Sequence, residues 1–476
     1  MKSARATALT VSLAMILTAC GGGDGSNAAP AAGGGNSPVT TGCAVSDQIA
    51  FADDVLNEWY LFPDLLDNTV DPASFSDVQS FLDARVAPAR AQSRDVGFTF
   101  ATSIAEENEL IASGSSAGFG IRLVYDTVNN RVFGSEAFEN GNGFQAGFDR
   151  GSELLAIGTS SSNLQLVSNL MASGGPAAVI DALGPSDPGV QRVLRFTTPT
   201  GTVVETAVIK TEFSLDPISD RYGALILDDG GKRVGYLNLR TFIVSDAADQ
   251  LRDAFELFGR EGVTELIFDF RYNGGGLVSV AETLGDLLGQ GRVGQVFSET
   301  VLRPSKSSEN STEFFETEAN ALQPTKIAVI STRSTASASE LVTNSMIPYL
   351  ANDSIALIGS DTSGKPVGQF GFDLAACDLR VRAVTFQTVN ADGNGDYFTG
   401  LASEIPNSCR ATDDIFRPFG DPAEASISRA LDFLAGRTCT PITGAPGQQG
   451  VQSARGLEAL QPDRPSVAQY EMPGLF

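Results

Sequence analysis

The run Glu265-Leu266-Ile267-Phe268-Asp269-Phe270 leaves few choices of fold. Its apolar residues are nearly continuous, so a strand here hides both of its faces and needs a covering layer on each side. Further strands are predicted over 233–242, 326–332 and 355–359. Between the first of them and the Asp269 strand, Leu251, Ala254, Phe255 and Phe258 recur with the spacing of one helix face. Strand, helix and strand in repetition predict an α/β core of crossover units around a mostly parallel or mixed sheet. In such sheets chemistry collects beyond the carboxyl ends of the strands. The glycine run Tyr272-Asn273-Gly274-Gly275-Gly276 and the hydroxyl cluster Arg333-Ser334-Thr335-Ala336-Ser337-Ala338-Ser339-Glu340 both fall there, with Gly364-Lys365-Pro366 after the next strand.

The 476 residues include no histidine, so no Ser-His-Asp triad can form anywhere in the chain. A serine activated here must give its proton to another base. Lysine can take it once burial disfavours the ammonium form, and Ser-Lys pairs are an accepted variant of triad logic. A serine at a helix start has the free N–H of the next residue and the positive end of the dipole beside it. The glycine run lacks both GxGxxG spacing and a Gly-Lys-Ser/Thr, which argues against nucleotide binding. A backbone N–H lent to an oxyanion is the simpler use of glycine.

Ahead of this core, Ala117-Gly118-Phe119-Gly120-Ile121 is a glycine-rich turn running into a strand, and Phe144-Gln145-Ala146-Gly147-Phe148 leads into Gly151-Ser152-Glu153-Leu154-Leu155. That order resembles a PDZ domain, with Ser152 where aspartate is common. The resemblance implies that Gly118, Phe119 and Gly120 offer backbone N–H groups to the carboxylate of a peptide that adds a strand to the sheet edge. A helix is predicted at 163–170 or 177–183. Between this segment and the N-terminus, Ile49, Val55, Leu56 and Trp59 mark an amphipathic helix, and a second is predicted over 75–87.

Lys2, Arg5 and an apolar run over 8–17 precede Leu17-Thr18-Ala19-Cys20, which reads as a secretory signal. Its end resembles the bacterial lipoprotein box, implying lipidation at Cys20 and a membrane anchor. The Gly/Ala/Asn-rich stretch after it is predicted to be a tether, and the lack of aspartate after Cys20 favours the periplasmic side of the outer membrane. Cys43, Cys377, Cys409 and Cys439 remain, an even set that suggests disulfides in an exported protein, with three connectivities open. Without histidine or a CxxC spacing, no metal site is expected. Asp392-Gly393-Asn394-Gly395-Asp396 lacks the full calcium-loop spacing and is read as a turn. A formal charge of -25 with no basic stripe excludes nucleic acid as a partner.

Taken together, Asp269-x-Arg-x-Asn-x-Gly-Gly, Thr-Ala-Ser-Ala-Ser-Glu and Thr-x-Gly-Lys-x-x-x-Gln, in that order behind a PDZ-like segment, resemble the carboxyl-terminal processing (tail-specific) serine proteases. The resemblance implies Ser337 as nucleophile, Lys365 as general base, Gln369 as the residue orienting that lysine, and the N–H groups of Ala338 and Gly275 as the oxyanion hole, without a cofactor. Ser334 and Ser339 are then packing or capping hydroxyls. The domain reading is a signal peptide at 1–19, a lipidated tether at 20–42, a helical region at 43–112, a PDZ-like domain at 113–212, a Ser/Lys protease core at 213–440 and a flexible tail at 441–476. The expected partners are C-terminal tails of exported proteins, with a homo-oligomer or activating partner as a further expectation. The competing function is a non-catalytic peptide- or polymer-binding lipoprotein that keeps the fold.

Overall fold

A computed structural model describes residues 42–442 and 457–476. The signal segment, Cys20 and most of the tether lie outside the described residues. The α/β expectation holds: a helical N-terminal region and several sheets, one of them mostly parallel.

Helix α1 (Val45–Trp59) buries Ile49, Ala52, Val55, Leu56 and Trp59, the stripe its sequence spacing demands. The predicted second helix is shorter than expected and is followed by another: α2 (Val78–Arg85), capped by the Asp77 side chain, and α3 (Ala87–Ala91), which opens with Pro88 in its first turn. This region packs on the body of the protein. Its apolar residues share a core with Val367, Leu374, Val381, Ala383 and Val384, and Cys43 is joined to Cys377 with the two Cα atoms 5.3 Å apart. Strand β1 (Phe100–Ser103) and helix α4 (Ile104–Ser113) follow, the helix capped by Ser103 and closed by Gly114 in the left-handed region at φ 65°.

The next unit is an antiparallel sheet. β2 (Ser115–Gly118) pairs only with β9 (Thr211–Ser214), while β3 (Ile121–Asp126), β4 (Arg131–Ala137), β5 (Glu153–Gly158), β7 (Gln191–Thr197) and β8 (Val203–Ile209) lie side by side in that order, with the short β6 (Gln165–Leu166) on β5. Besides the one-turn α5 (Asn142–Gln145), the unit carries α6 (Val167–Leu183), which merges both predicted helix positions across a kink at Gly175, φ 64°, just before Pro176. α6 packs Val167, Met171, Val179 and Leu183 against Phe119, Ile121, Leu154 and Leu194.

In the core, β10 (Ala224–Asp229) pairs antiparallel with β11 (Lys232–Asn238). β12 (Glu265–Asp269), β15 (Lys326–Ser331), β16 (Ile355–Gly359) and β19 (Ser408–Arg410) then continue in parallel. The doubly apolar strands now have their reason. Leu266, Phe268, Ile327, Val329 and Leu357 face α7 (Ala247–Arg260), α8 (Val278–Leu287) and α9 (Ala338–Met346). Ile267, Ala328, Ile330, Ala356 and Ile358 face α10 (Ala425–Leu434). A second sheet, β13 (Val296–Leu302), β14 (Ser311–Phe314), β17 (Val367–Leu374) and β18 (Leu379–Val389), joins β1 and carries the strand that follows Lys365. Cys409 and Cys439 form the second disulfide.

One expectation is corrected. The tail expected to be flexible is packed wherever it is described: Leu460, Val467, Met472, Leu475 and Phe476 are buried, and Val467–Glu471 is a short helix capped by Ser466. Its apolar residues are too scattered to show a period, yet they join two of the cores, Leu460 and Phe476 one, and Val467, Met472 and Leu475 the other.

Candidate active site

Three loops at the carboxyl ends of β12, β15 and β16 converge, as their parallel pairing requires. The first is locked by charge. Arg271 is fully buried and pairs with Asp269 at 2.6 Å, Asp413 at 2.9 Å and Glu424 at 3.0 Å. A buried guanidinium needs that many acceptors. Tyr272 is driven to φ 64° by the turn, and the Asn273 side chain donates to the Leu239 carbonyl at 2.8 Å, fixing the backbone from which Gly274 and Gly275 project. The motif residues Asp269, Arg271 and Asn273 therefore hold the loop in shape; none of these contacts is made to the Ser337 or Lys365 side chain.

The second and third loops are stitched together. Ser331 Oγ donates to the Ser360 carbonyl at 2.7 Å, and Ser363 N donates to the Thr335 carbonyl at 2.9 Å. The decisive clamp is Glu340, three residues into the helix that Ser337 begins. Its Oε2 accepts the Ser337 N–H at 3.0 Å and the Lys365 N–H at 2.8 Å, while Oε1 accepts the Gly364 N–H at 2.8 Å. One carboxyl group thus sets the backbone of the serine and of the lysine in register. Burial pushes its pKa up to about 7 against the pull of those donors. In the sequence Glu340 stands out only as part of a motif, although Ser337-x-x-Glu340 is a capping-box pattern that reveals it.

Ser337 has φ 53°, a left-handed conformation unusual for a residue with a Cβ. Lys365 is 9% exposed, and its Nζ lies 5.1 Å from the centre of the Phe98 ring. Burial lowers its pKa, opposed by the negative charges of Glu471, Asp95 and Glu340. Gln369 is not hydrogen-bonded to the lysine: its Nε2 donates to the Phe98 carbonyl at 2.7 Å. Its partner is thus the residue whose ring lies over the lysine, and no local pattern in the sequence announced Phe98.

At the position expected to hold an oxyanion, the geometry separates Gly274 from Gly275. Gly275 N donates to Asn273 Oδ1 at 2.9 Å and is spoken for. Gly275 earns its place by lacking a side chain, since a Cβ there would lie 2.7 Å from Ser337 Cβ and 3.1 Å from the Ala338 nitrogen. Gly274 N instead donates to the Glu471 carbonyl at 2.8 Å, a partner far along the chain. Ala338 opens α9, where the first N–H groups have no acceptor within the helix. The N–H of Phe119, in the loop over 117–120, donates to the Phe476 carbonyl at 3.0 Å, together with Ile121 N at 3.1 Å. Gly118 lies against the same group, because a Cβ on it would come 2.6 Å from the Phe476 carbonyl carbon. Gly120 takes φ 70° to turn the loop.

The family model "Peptidase family S41" matches residues 233–405. A solved structure from Bacteroides fragilis described as an S41 protease is 24% identical, covers 81% of this chain and 97% of its own, and superposes with a TM-score of 0.62, so the two share a fold. A photosystem II D1 C-terminal processing protease is 18% identical over 75% of this chain and 91% of its own, with a TM-score of 0.43. Mature CPAF complexed with lactacystin is 13% identical over 75% and 92%, also at 0.43. No curated protein matches the sequence. Residues 233–405, which contain the glycine loop, Ser337, Glu340 and Lys365, are a peptidase family S41 domain.

Proposed function

We propose that this chain is a serine endopeptidase that cuts with a Ser337–Lys365 dyad and captures the C-terminal tails of exported proteins on its PDZ-like unit. The observation that carries the reading is the Glu340 clamp, which holds the backbones of Ser337 and Lys365 through one buried carboxyl group. A second support is the desolvated lysine, whose neutral form burial favours.

In the proposed reaction, neutral Lys365 Nζ takes the Ser337 hydroxyl proton as Oγ bonds to the substrate carbonyl carbon. The oxyanion formed accepts from the N–H groups of Ala338 and Gly274, the latter taking the place first given to Gly275. Collapse breaks the C–N bond while Lys365 returns its proton to the leaving amine. Water then attacks the acyl carbon, giving a proton to Lys365, and the acyl C–Oγ bond breaks as Lys365 passes that proton to Ser337 Oγ, which restores both groups. Gln369 holds Phe98 against the lysine and is a positioning residue. Capture of the tail is assigned to Phe119 and Ile121 N–H at the β3 edge, with Gly118 and Gly120 allowing the close approach. Lipidation at Cys20 and a periplasm-facing location belong to the same proposal, and the two disulfides fit an oxidising compartment.

The test is cleavage of an unstructured protein with an apolar C-terminal tail, alongside labelling by a reactive-serine probe. Wild type is expected to cleave and label, Ser337→Ala to do neither, and Lys365→Ala to lose cleavage. Cleavage surviving both substitutions would overturn the dyad. Tight tail binding by a folded wild type that neither labels nor cleaves would favour the non-catalytic binder.

A further inference from the structure

The groove between β3 and α6 is occupied by the chain itself. Phe476 N donates to the Ile121 carbonyl at 2.9 Å, its carbonyl accepts from Phe119 N and Ile121 N, and Leu123 N donates to the Gly474 carbonyl at 2.8 Å. Leu475 stands opposite Arg122 as an antiparallel bridge. Residues 474–476 therefore form an added strand on the β3 edge, and the Phe476 side chain joins the cluster of Phe119, Ile121, Val179 and Leu183 at 3% exposure. Glu458 and Ala459 pair with Tyr125 and Val124 further along the same edge, and Leu460 N donates to the Leu123 carbonyl at 2.9 Å, so no free length is left there.

A few residues upstream the same segment reaches the dyad. The Glu471 carbonyl takes the Gly274 N–H, the donor an oxyanion would need. The Glu471 side chain is half-buried beside Lys365, and its Oε2 is sealed from solvent with no hydrogen-bond partner. A carboxylate there favours the ammonium form of Lys365, the form that cannot accept a proton. Val467–Glu471 is helical, and Tyr470 stacks on Phe100 with ring centres 4.1 Å apart, so this is not an extended substrate lying across the site.

We propose that residues 466–476 are a built-in competitor that fills the β3–α6 groove and blocks the Ser337–Lys365 pair at once, so that a foreign apolar tail must displace them to be cut. The proposal rests on the dyad reading. It couples groove and chemistry through one segment: adding a foreign strand to β3 removes Phe476, and with it the anchor that keeps Glu471 at Gly274 and Lys365.

The test measures how fast a small reactive-serine probe, which needs no groove, labels Ser337 in the full chain, in Phe476→Asp, in Gly118→Ala and in a chain ending at Pro465. The Gly118 variant keeps the whole tail but places a Cβ where the Phe476 carbonyl lies. Labelling is expected to be about tenfold faster or more in all three variants, as for a site released from a closed population. A peptide of residues 466–476 should restore slow labelling in the shortened chain, and the same peptide carrying Phe476→Asp should not. Equal labelling of full chain and folded variants would overturn the competitor and leave the dyad standing. Absence of labelling in every folded variant would sink both. Intact mass gives a further check: loss of the tail from wild type but not from Ser337→Ala would show it to be a substrate, against the proposal.

Discussion

Replacing Glu340 with glutamine separates its electrostatic cost from its positioning role. The buried carboxyl has its pKa raised from 4.5 to about 7. Because the folded value is the higher one, the native state holds this proton more tightly than the unfolded chain does. The group therefore favours folding fully below pH 4.5 and withdraws that contribution as pH rises through 7. Between pH 5 and pH 8 the withdrawal amounts to about 2–3 kcal/mol, at roughly 1.4 kcal/mol per pKa unit. Glu340→Gln does not titrate, but it loses one acceptor oxygen, a pH-independent cost of about 1–3 kcal/mol. The variant should be the less stable protein at pH 5 and recover relative to wild type by pH 8. The Tm difference should move in its favour by about 5–10 °C for a unit of 150–250 residues. Thermal unfolding followed at several pH values checks this. A Tm difference that stays flat over the whole range would refute the claim that Glu340 is a strained, late-titrating clamp. Its activity should fall at every pH by about tenfold or more, since Ser337 or Lys365 loses its backbone anchor.

Lys365→Arg should fold normally yet abolish cleavage, because a guanidinium does not deprotonate; a pH-rate profile of wild type should rise through a pKa below the ordinary lysine value of 10.5, and activity in the arginine variant would refute the base assignment. Gly275→Ala forces a Cβ to 2.7 Å from Ser337 Cβ at φ 118°, and should lower kcat by about a hundredfold or more with little change in KM. Arg271→Met leaves Asp269, Asp413 and Glu424 without their shared cation, and should destabilise the core by about 3–5 kcal/mol in urea unfolding; a near-neutral result would show that these carboxyls protonate at no cost.

What the sequence made legible was whatever depends on local pattern or on strand order. The doubly apolar strands announced layers on both faces, and parallel order then brought Gly274, Ser337 and Lys365 to one sheet edge before any contact was known. Partners distant in sequence were another matter. Nothing near Gly274 says that its N–H will be taken by the Glu471 carbonyl, far along the chain, whereas the Gly275 N–H goes to Asn273 in a local Asx turn. Gln369 carries the right atoms to bond a lysine four residues earlier, but from its place in β17 its amide donates to the carbonyl of Phe98, a residue of the N-terminal region. The tail is the extreme case. Leu460, Met472, Leu475 and Phe476 show no helical or strand period because they divide between two cores: Leu460 and Phe476 join the β3–α6 cluster, and Met472 and Leu475 join the cluster of the parallel sheet and its helices. Periodicity reports burial only when one element packs on one neighbour. A segment that crosses from the Gly274 loop to the β3–α6 groove in a few residues has no reason to show it, and so reads as a frayed end.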